Sequence, residues 1–416
     1  MRYCLGIDVG NSTVVAAVAD NSGSETVKLG VRTPGIPSIA HVTPDGSVLT
    51  GDAAVLADTL EPARTARLLC RRLDDPAPIV LGERTWDPTD LLASVLGDVL
   101  AHVTAVRGGP PDHVVLVRPA VLGPVGTARF TDAVARAGRP DASTTTAPVA
   151  CATWLIGNGL LRPGGRIAVY DFGGGTFEAG VMRRTTRGVD DVGPPNGIAR
   201  LGGADLDELV RQHLESGPVG ALGRWDLRVP PGARMINKAL GACRSAKEAL
   251  SSDGSAEVAW QLPGGTHRYV LRRQEIEALF RKPVNDTVEV FTGVLSAART
   301  RPDELDAVAL SGGSARIPLV TALLSQALGR GVRIAQTPDA AIAQGAARLA
   351  TQRAAPQPSH RVAAGRSPAQ RPGAGPPRID APQAGGHSAP PSKPVPPPRS
   401  TPAPSPPASP PRPAAQ

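Results

Sequence analysis

The chain has 416 residues, 44 of them Pro and 46 Gly, is 41% hydrophobic, and carries four Cys and a formal net charge of +8. That length predicts two domains, because single cores seldom grow past roughly 250–300 residues, and that apolar content excludes a wholly disordered chain. Five Phe, four Trp and three Tyr are few for a protein that stacks single-stranded bases on aromatic rings.

The first run, Met1–Asp8, is interrupted by Asp8 and Asn11 and lacks the apolar core of a secretory leader. Tyr3–Ile7 reads as a short strand, followed by Asp8-Val9-Gly10-Asn11-Ser12-Thr13 and a second apolar run, Val14–Ala19. Further on, Leu91–Val106 is apolar but broken by Asp98 and His102, so no membrane span is expected. Cys4, Cys70, Cys151 and Cys243 are widely spaced and read as reduced thiols of a cytoplasmic protein. The histidines lack metal-helix spacing. The Gly-x-Ser-x-Gly elbow, the Gly-x-x-x-x-Gly-Lys loop and the Gly-x-Gly-x-x-Gly fingerprint are all missing.

The acid-and-glycine turn recurs. Ile167–Tyr170 leads into Asp171-Phe172-Gly173-Gly174-Gly175-Thr176-Phe177-Glu178, with Asp171 lying 163 residues after Asp8. Both segments read as hairpins whose glycines let backbone N–H groups approach a phosphate, with Ser12, Thr13 and Thr176 as extra donors. A carboxylate beside phosphate calls for a cation between them, most simply Mg²⁺ held through water. Taken singly, each turn is equally well an ordinary glycine-rich hairpin; the repeat is what a duplicated two-lobed protein would show.

Gly202-Gly203 precedes Asp205-Leu206-Asp207-Glu208-Leu209-Val210, where helical spacing predicts a helix with free N–H groups at its start. A helix over Met235–Ser251 carries an apolar side of Ile236, Leu240, Cys243 and Leu250. Arg244, Lys247, Glu248 and Ser251 form its polar stripe, which faces either solvent or a ligand. The strand Ala307–Leu310 enters a second Gly-Gly turn, Gly312-Gly313-Ser314. A helix follows with Pro318 in its first turn and Val320, Leu323, Leu324 and Ala327 on one face. The closing helix, Asp339–Leu349, contains Gly345; a mid-helix Gly costs about 1 kcal/mol against Ala and so predicts close packing there.

From Ala354 onward, 63 residues hold 20 Pro, seven basic residues and one acid, a net +6 that leaves +2 for the rest. Such a tail cannot offset the entropy of ordering a fold and is expected to be disordered. It is either a flexible basic extension or a docking segment for a proline-reading domain or an acidic surface. The near-neutral remainder argues against nucleic acid as the partner.

These segments together resemble the nucleotide-binding domain of the heat-shock protein 70 chaperone family. They stand in family order: Gly6–Ser12, Pro37-Ser38, Arg118-Pro119-Ala120, Asp171–Phe177, Leu201–Asp205, Ser311–Pro318 and Pro338-Asp339. The resemblance implies an α/β, actin-like ATPase fold: two duplicated ribonuclease-H-like lobes, 1–165 and 166–353, around a nucleotide cleft, followed by the tail from 354 to 416. It implies ATP (or ADP) and Mg²⁺ as ligands. Asp8, Arg71, Asp171 and Thr176 would carry catalysis, with Asp8, Asp171 and Glu178 around the hydrated Mg²⁺. Gly10, Asn11, Ser12, Gly173, Gly174 and Gly175 would hold the phosphates. Gly202, Gly203, Lys247, Ser251, Gly312, Gly313, Ser314, Arg316 and Asp339 would enclose ribose and adenine.

The departures point to slow hydrolysis. Arg71 occupies the place of the family's catalytic lysine, and a planar guanidinium is not a point charge. Ala147 stands where the family has a glutamate. Arg244 and Glu248 exchange charges relative to the family. The sequence runs from Leu349 straight into the tail, with no apolar linker or peptide clamp expected in it. The leading expectation is an ATP-binding, slowly hydrolysing chaperone-family protein. The alternatives are an actin-fold small-molecule kinase and a non-enzymatic nucleotide-binding scaffold.

Overall fold

A computed structural model describes residues 2–217, 230–262, 265–329 and 333–354, which belong to one packed unit. The tail from 355 onward lies outside the described residues.

Two six-stranded sheets repeat one topology. In the first, Cys4–Val9 runs antiparallel to Thr13–Asp20, which pairs antiparallel with Gly23–Val27. On its other side Cys4–Val9 lies parallel to His113–Arg118, and that strand parallel to Ser143–Thr146. In the second, Arg166–Phe172 runs antiparallel to Phe177–Thr185 and this to Gly188–Asp191. Ala307–Ser311 and then Ile334–Gln336 continue it in parallel. Even the short sixth strands correspond: Ile36–Pro37 and Asn196–Ile198 each dock at the start of the second strand of their sheet. The duplication expected from two turns extends to the whole of both sheets.

Strand periodicity fixes what each face touches. Leu5, Ile7 and Val9 join one core with Leu91, Leu92, Val95 and Phe130 on the outer helices. Ala168, Tyr170 and Phe172 join another with Phe280, Phe291 and Leu324. The alternate residues face inward. Cys4, Val115 and Val117 of the first sheet and Ile167, Val169 and Ala309 of the second share a core with the helices Ala147–Gly157 and Ala341–Ala354. Asp8 and Asp171 continue those inward-facing series, two residues beyond Gly6 and Val169, and so both acids end on the inner side.

The two inner helices are thin because they must be. A Cβ on Gly6 would lie 2.1 Å from the Ala347 nitrogen, and one on Gly345 would lie 1.9 Å from the Ala150 carbonyl oxygen. The close packing predicted from Gly345 is therefore present, against the backbone of the Ala147–Gly157 helix.

Some boundaries and faces differ from expectation. The closing helix is Ala341–Ala354, so Asp339 sits in the turn before it. The helix expected from Met235 is Pro230–Ala249; Cys243 and Leu250 are buried, whereas Ile236 and Leu240 are half-buried. On Pro318–Leu328 the buried face uses Leu328, and Ala327 is exposed. Pro88–Arg107 is the one helix among the described residues long and apolar enough to cross a membrane by length and composition. Its apolar side, from Leu91 to Val103, is packed in the first sheet's outer core.

Candidate functional site

Asp8 and Asp171 occupy the penultimate positions of equivalent strands, Cys4–Val9 and Arg166–Phe172. Their charges act on each other: burial, and then Asp171, push the Asp8 carboxyl up to about 8. Burial raises Asp171 as well, but a hydrogen bond from Ser311 restrains it to about 6. Glu178 is buried and rises to about 8, through desolvation first and Asp171 next, while the Ala120 N–H donates to its Oε2 at 2.9 Å. Three carboxyls thus converge at the junction of the two sheets: burial raises all three, and the Asp171 charge adds to the rise of Asp8 and Glu178.

The glycine turns meet directly above these acids. A Cβ on Gly174 would fall 1.8 Å from Ser12 Oγ, and one on Gly175 2.6 Å from Asn11 Cβ. Only glycine lets the second turn approach the first this closely. Asn11 is buried, and its Oδ1 accepts the Arg71 backbone N–H at 3.1 Å. The Ser12 carbonyl accepts the Ser38 N–H at 3.0 Å, which anchors the first turn to the Pro37-Ser38 segment.

The two Gly-Gly turns close around the second hairpin. The Gly173 carbonyl accepts the Gly203 N–H at 3.0 Å and the Ser314 hydroxyl at 2.9 Å, and the Gly174 carbonyl accepts the Ala204 N–H at 2.9 Å. The expectation of free N–H groups at the start of the Gly203–Ser216 helix is therefore corrected. Turn carbonyls satisfy Gly203 and Ala204, and Asp205 Oδ2 accepts from Gly202 N at 2.8 Å. Gly312 adopts φ +82°, and a Cβ there would sit 2.4 Å from the Phe172 carbonyl oxygen. A Cβ on Gly313 would meet nothing within 4 Å, so this neighbour faces open space. Gly10 and Thr176 each lie at the turn closure of their own hairpin: a Cβ on Gly10 would touch the Thr13 carbonyl, and Thr176 O accepts the Gly173 N–H at 3.0 Å.

The polar stripe of the Pro230–Ala249 helix divides. Lys247 is buried, with Nζ 2.6 Å from Asp207 Oδ1 and 2.8 Å from the Gly203 carbonyl it donates to. Arg244 and Glu248 form an exposed pair at 3.0 Å, so the exchanged charges do face each other. Ser251, expected in this helix, lies two residues past its end and donates back to the Lys247 carbonyl at 3.4 Å. Arg316 and Asp339 are ion-paired at the outer rim.

Thus Asp8, Asn11, Ser12, Arg71, Asp171, Gly173–Gly175, Glu178, Gly202, Gly203, Lys247 and Ser314 come together. Arg316 and Asp339 are exposed, and Ser251 reaches this group only through the Lys247 carbonyl. Three contributors escaped the sequence reading as site residues: Asp205, Asp207 and Ser311. Asp205 bonds Arg71, Asp207 neutralises Lys247, and Ser311 tunes Asp171. The first two stand in an acidic first turn, a signal that capping alone explains.

A duplicated sheet pair, with an acid and a glycine turn at the same place in each half, defines the actin-like ATPase fold. The Hsp70 protein family matches residues 4–355, and the chain belongs to that family. Among similar proteins, the chaperone protein HscA homolog of Shewanella baltica is 28% identical over 373 residues. That of Azotobacter vinelandii is 30% identical over 369 residues, and the chaperone protein HscA of Pectobacterium carotovorum 30% over 373. Each comparison covers 83% of this chain but only 57–58% of the relative, so the chain spans less than two thirds of their length.

Proposed function

We propose that this chain binds ATP and Mg²⁺ in the cleft between two lobes, 1–165 and 166–353, and hydrolyses ATP slowly, acting as a chaperone-family switch through lobe closure. The observation that carries the proposal is the meeting of Asp8 and Asp171, each beneath its own glycine turn, with the turns in contact.

The residues suit a hydrated Mg²⁺. Three carboxyls, Asp8, Asp171 and Glu178, hold raised proton affinity chiefly because they are buried, and at Glu178 the Arg118 charge offsets only part of the rise. Mg²⁺ retains most of its waters and would be held by these acids through them. When bound, it would neutralise charge on the phosphate oxygens. The chain's own work is to orient. The backbone of Gly10–Ser12 and Gly173–Thr176 faces the phosphates from two sides, and Asp8 and Asp171 orient the water that attacks. Gly202, Gly203, Ser314 and the buried Lys247–Asp207 pair shape the nucleoside side, with Arg316 and Asp339 at its rim.

Two features slow the step. Arg71 takes the place of a catalytic lysine with its guanidinium already engaged, and Ala147 offers no carboxylate to orient water. Loss of one such group removes a factor of ~10²–10⁴ in rate. Four free, buried cysteines support a cytoplasmic setting. The proline-rich tail supplies a site for a protein partner, and we assign the nucleotide as the ligand of the near-neutral body, rather than nucleic acid. Phosphate release by the full chain with Mg-ATP tests this: turnover far below one per second is expected, and rapid turnover or no ATP binding would overturn it.

A further inference from the structure

Asp205 is one of the residues that tie residues 1–165 to residues 166–353, 134 positions from its partner in sequence. The Arg71 side chain, mostly buried, donates from NH1 to Asp205 Oδ2 at 2.9 Å and Oδ1 at 3.2 Å, and from NH2 to Oδ1 at 3.1 Å. Asp205 is itself fixed, accepting the Gly202 N–H at 2.8 Å as it caps the Gly203–Ser216 helix. Arg71 is held from the other side by Asn11, and its Cδ lies 3.0 Å from where a Cβ of Gly175 would stand. Arg71 therefore stands between both glycine turns, its backbone bonded to the first and its side-chain stem against the second.

An end-on fork engages only the tip of a guanidinium, and Nε with the outer N–H bonds makes no hydrogen bond among the described residues. A lysine offers one compact ammonium and cannot combine a rigid carboxylate anchor with a separate set of aimed donors; an arginine can. We propose that Asp205 is a positioning residue: it holds Arg71 so that its remaining N–H groups read the terminal phosphate, and thereby sets the preference for ATP over ADP. This rests on the nucleotide reading above and adds to it the group that makes an arginine serviceable at this place.

The test measures affinities of the full chain for Mg-ADP and for a non-hydrolysable Mg-ATP analogue by titration calorimetry, in wild type, Asp205→Asn, Arg71→Ala and the double variant. Asp205 is the third residue of the helix, and Asn keeps a side-chain oxygen able to accept the Gly202 N–H, so Asp205→Asn retains that bond while losing the charged fork. Unchanged melting temperature and ADP affinity report that the fold is intact. The expected result is an analogue affinity about tenfold weaker in Asp205→Asn, with ADP unchanged, and no further loss when the change is made in Arg71→Ala. An unchanged ratio of the two affinities, tighter analogue binding, or the same loss in the Arg71→Ala background would each overturn the proposal while leaving nucleotide binding standing. A wild-type chain that binds neither nucleotide would overturn the underlying reading, and this proposal with it.

Discussion

The two halves of the molecule place an aspartate at the same point of the same sheet, yet give it different chemistry. Asp8 lies opposite Val117 on the neighbouring parallel strand, and Asp171 opposite Ser311. Valine offers nothing to a carboxylate, whereas the Ser311 hydroxyl bonds to it. The first carboxyl is accordingly pushed to about 8 and the second only to about 6. Duplication supplied two similar acids; the Ser311 bond lowers one of them, and the charge of that acid raises the other.

The largest effect should come from removing either acid. Asp8→Asn and Asp171→Asn are each expected to reduce single-turnover phosphate release by ~10²–10⁴. If one variant were silent, the halves would not share the reaction. Glycine substitution separates the halves structurally. Gly6→Ala forces a methyl into the Ala347 backbone at 2.1 Å, whereas Gly180→Ala on the second sheet meets side chains, the Pro148 ring at 3.0 Å and Met182 Cε at 3.3 Å. Urea unfolding should show a loss of about 1–3 kcal/mol for the first and clearly less for the second.

Stability should also follow the raised carboxyls. Between the ordinary carboxylate range and about pH 8, folded Asp8 and Glu178 hold protons that the unfolded chain releases. Nucleotide-free protein therefore loses stability as pH rises through this window, by roughly 1 kcal/mol or more per group. Melting temperatures at pH 6 and pH 8 check the sign, and Asp8→Asn should flatten the slope. Ser311→Val should raise the Asp171 carboxyl by about one unit toward its counterpart, which carboxyl NMR would detect. An unmoved Asp171 would break the comparison between the halves. The smallest effect belongs to the exposed Arg244–Glu248 pair: Glu248→Ala should cost about 0.3–0.5 kcal/mol.

The duplicated hairpins, both acids and the Gly-Gly turns were legible in the sequence because each is a local pattern: an apolar run, an acid, then glycines. Gly345 was legible because a mid-helix glycine has a known cost. What was not legible depends on which distant residues meet. The Arg71–Asp205 fork joins positions 134 apart, and the Ser311 bond to Asp171 follows from strand register between segments 140 apart. The carbonyls of Gly173 and Gly174 fill a helix start that local reasoning left open, because only the folded turn aims them there. Lys247 reads locally as a solvated or ligand-facing charge, whereas in the fold Asp207, 40 residues earlier, is buried against it.

The most direct test of the central claim is a single-turnover experiment: full-length chain mixed with labelled ATP and Mg²⁺, with bound ATP and bound ADP both followed over time. We predict about one ATP retained per chain, converting to ADP over many minutes. No retained nucleotide, or complete conversion within seconds, would contradict the claim.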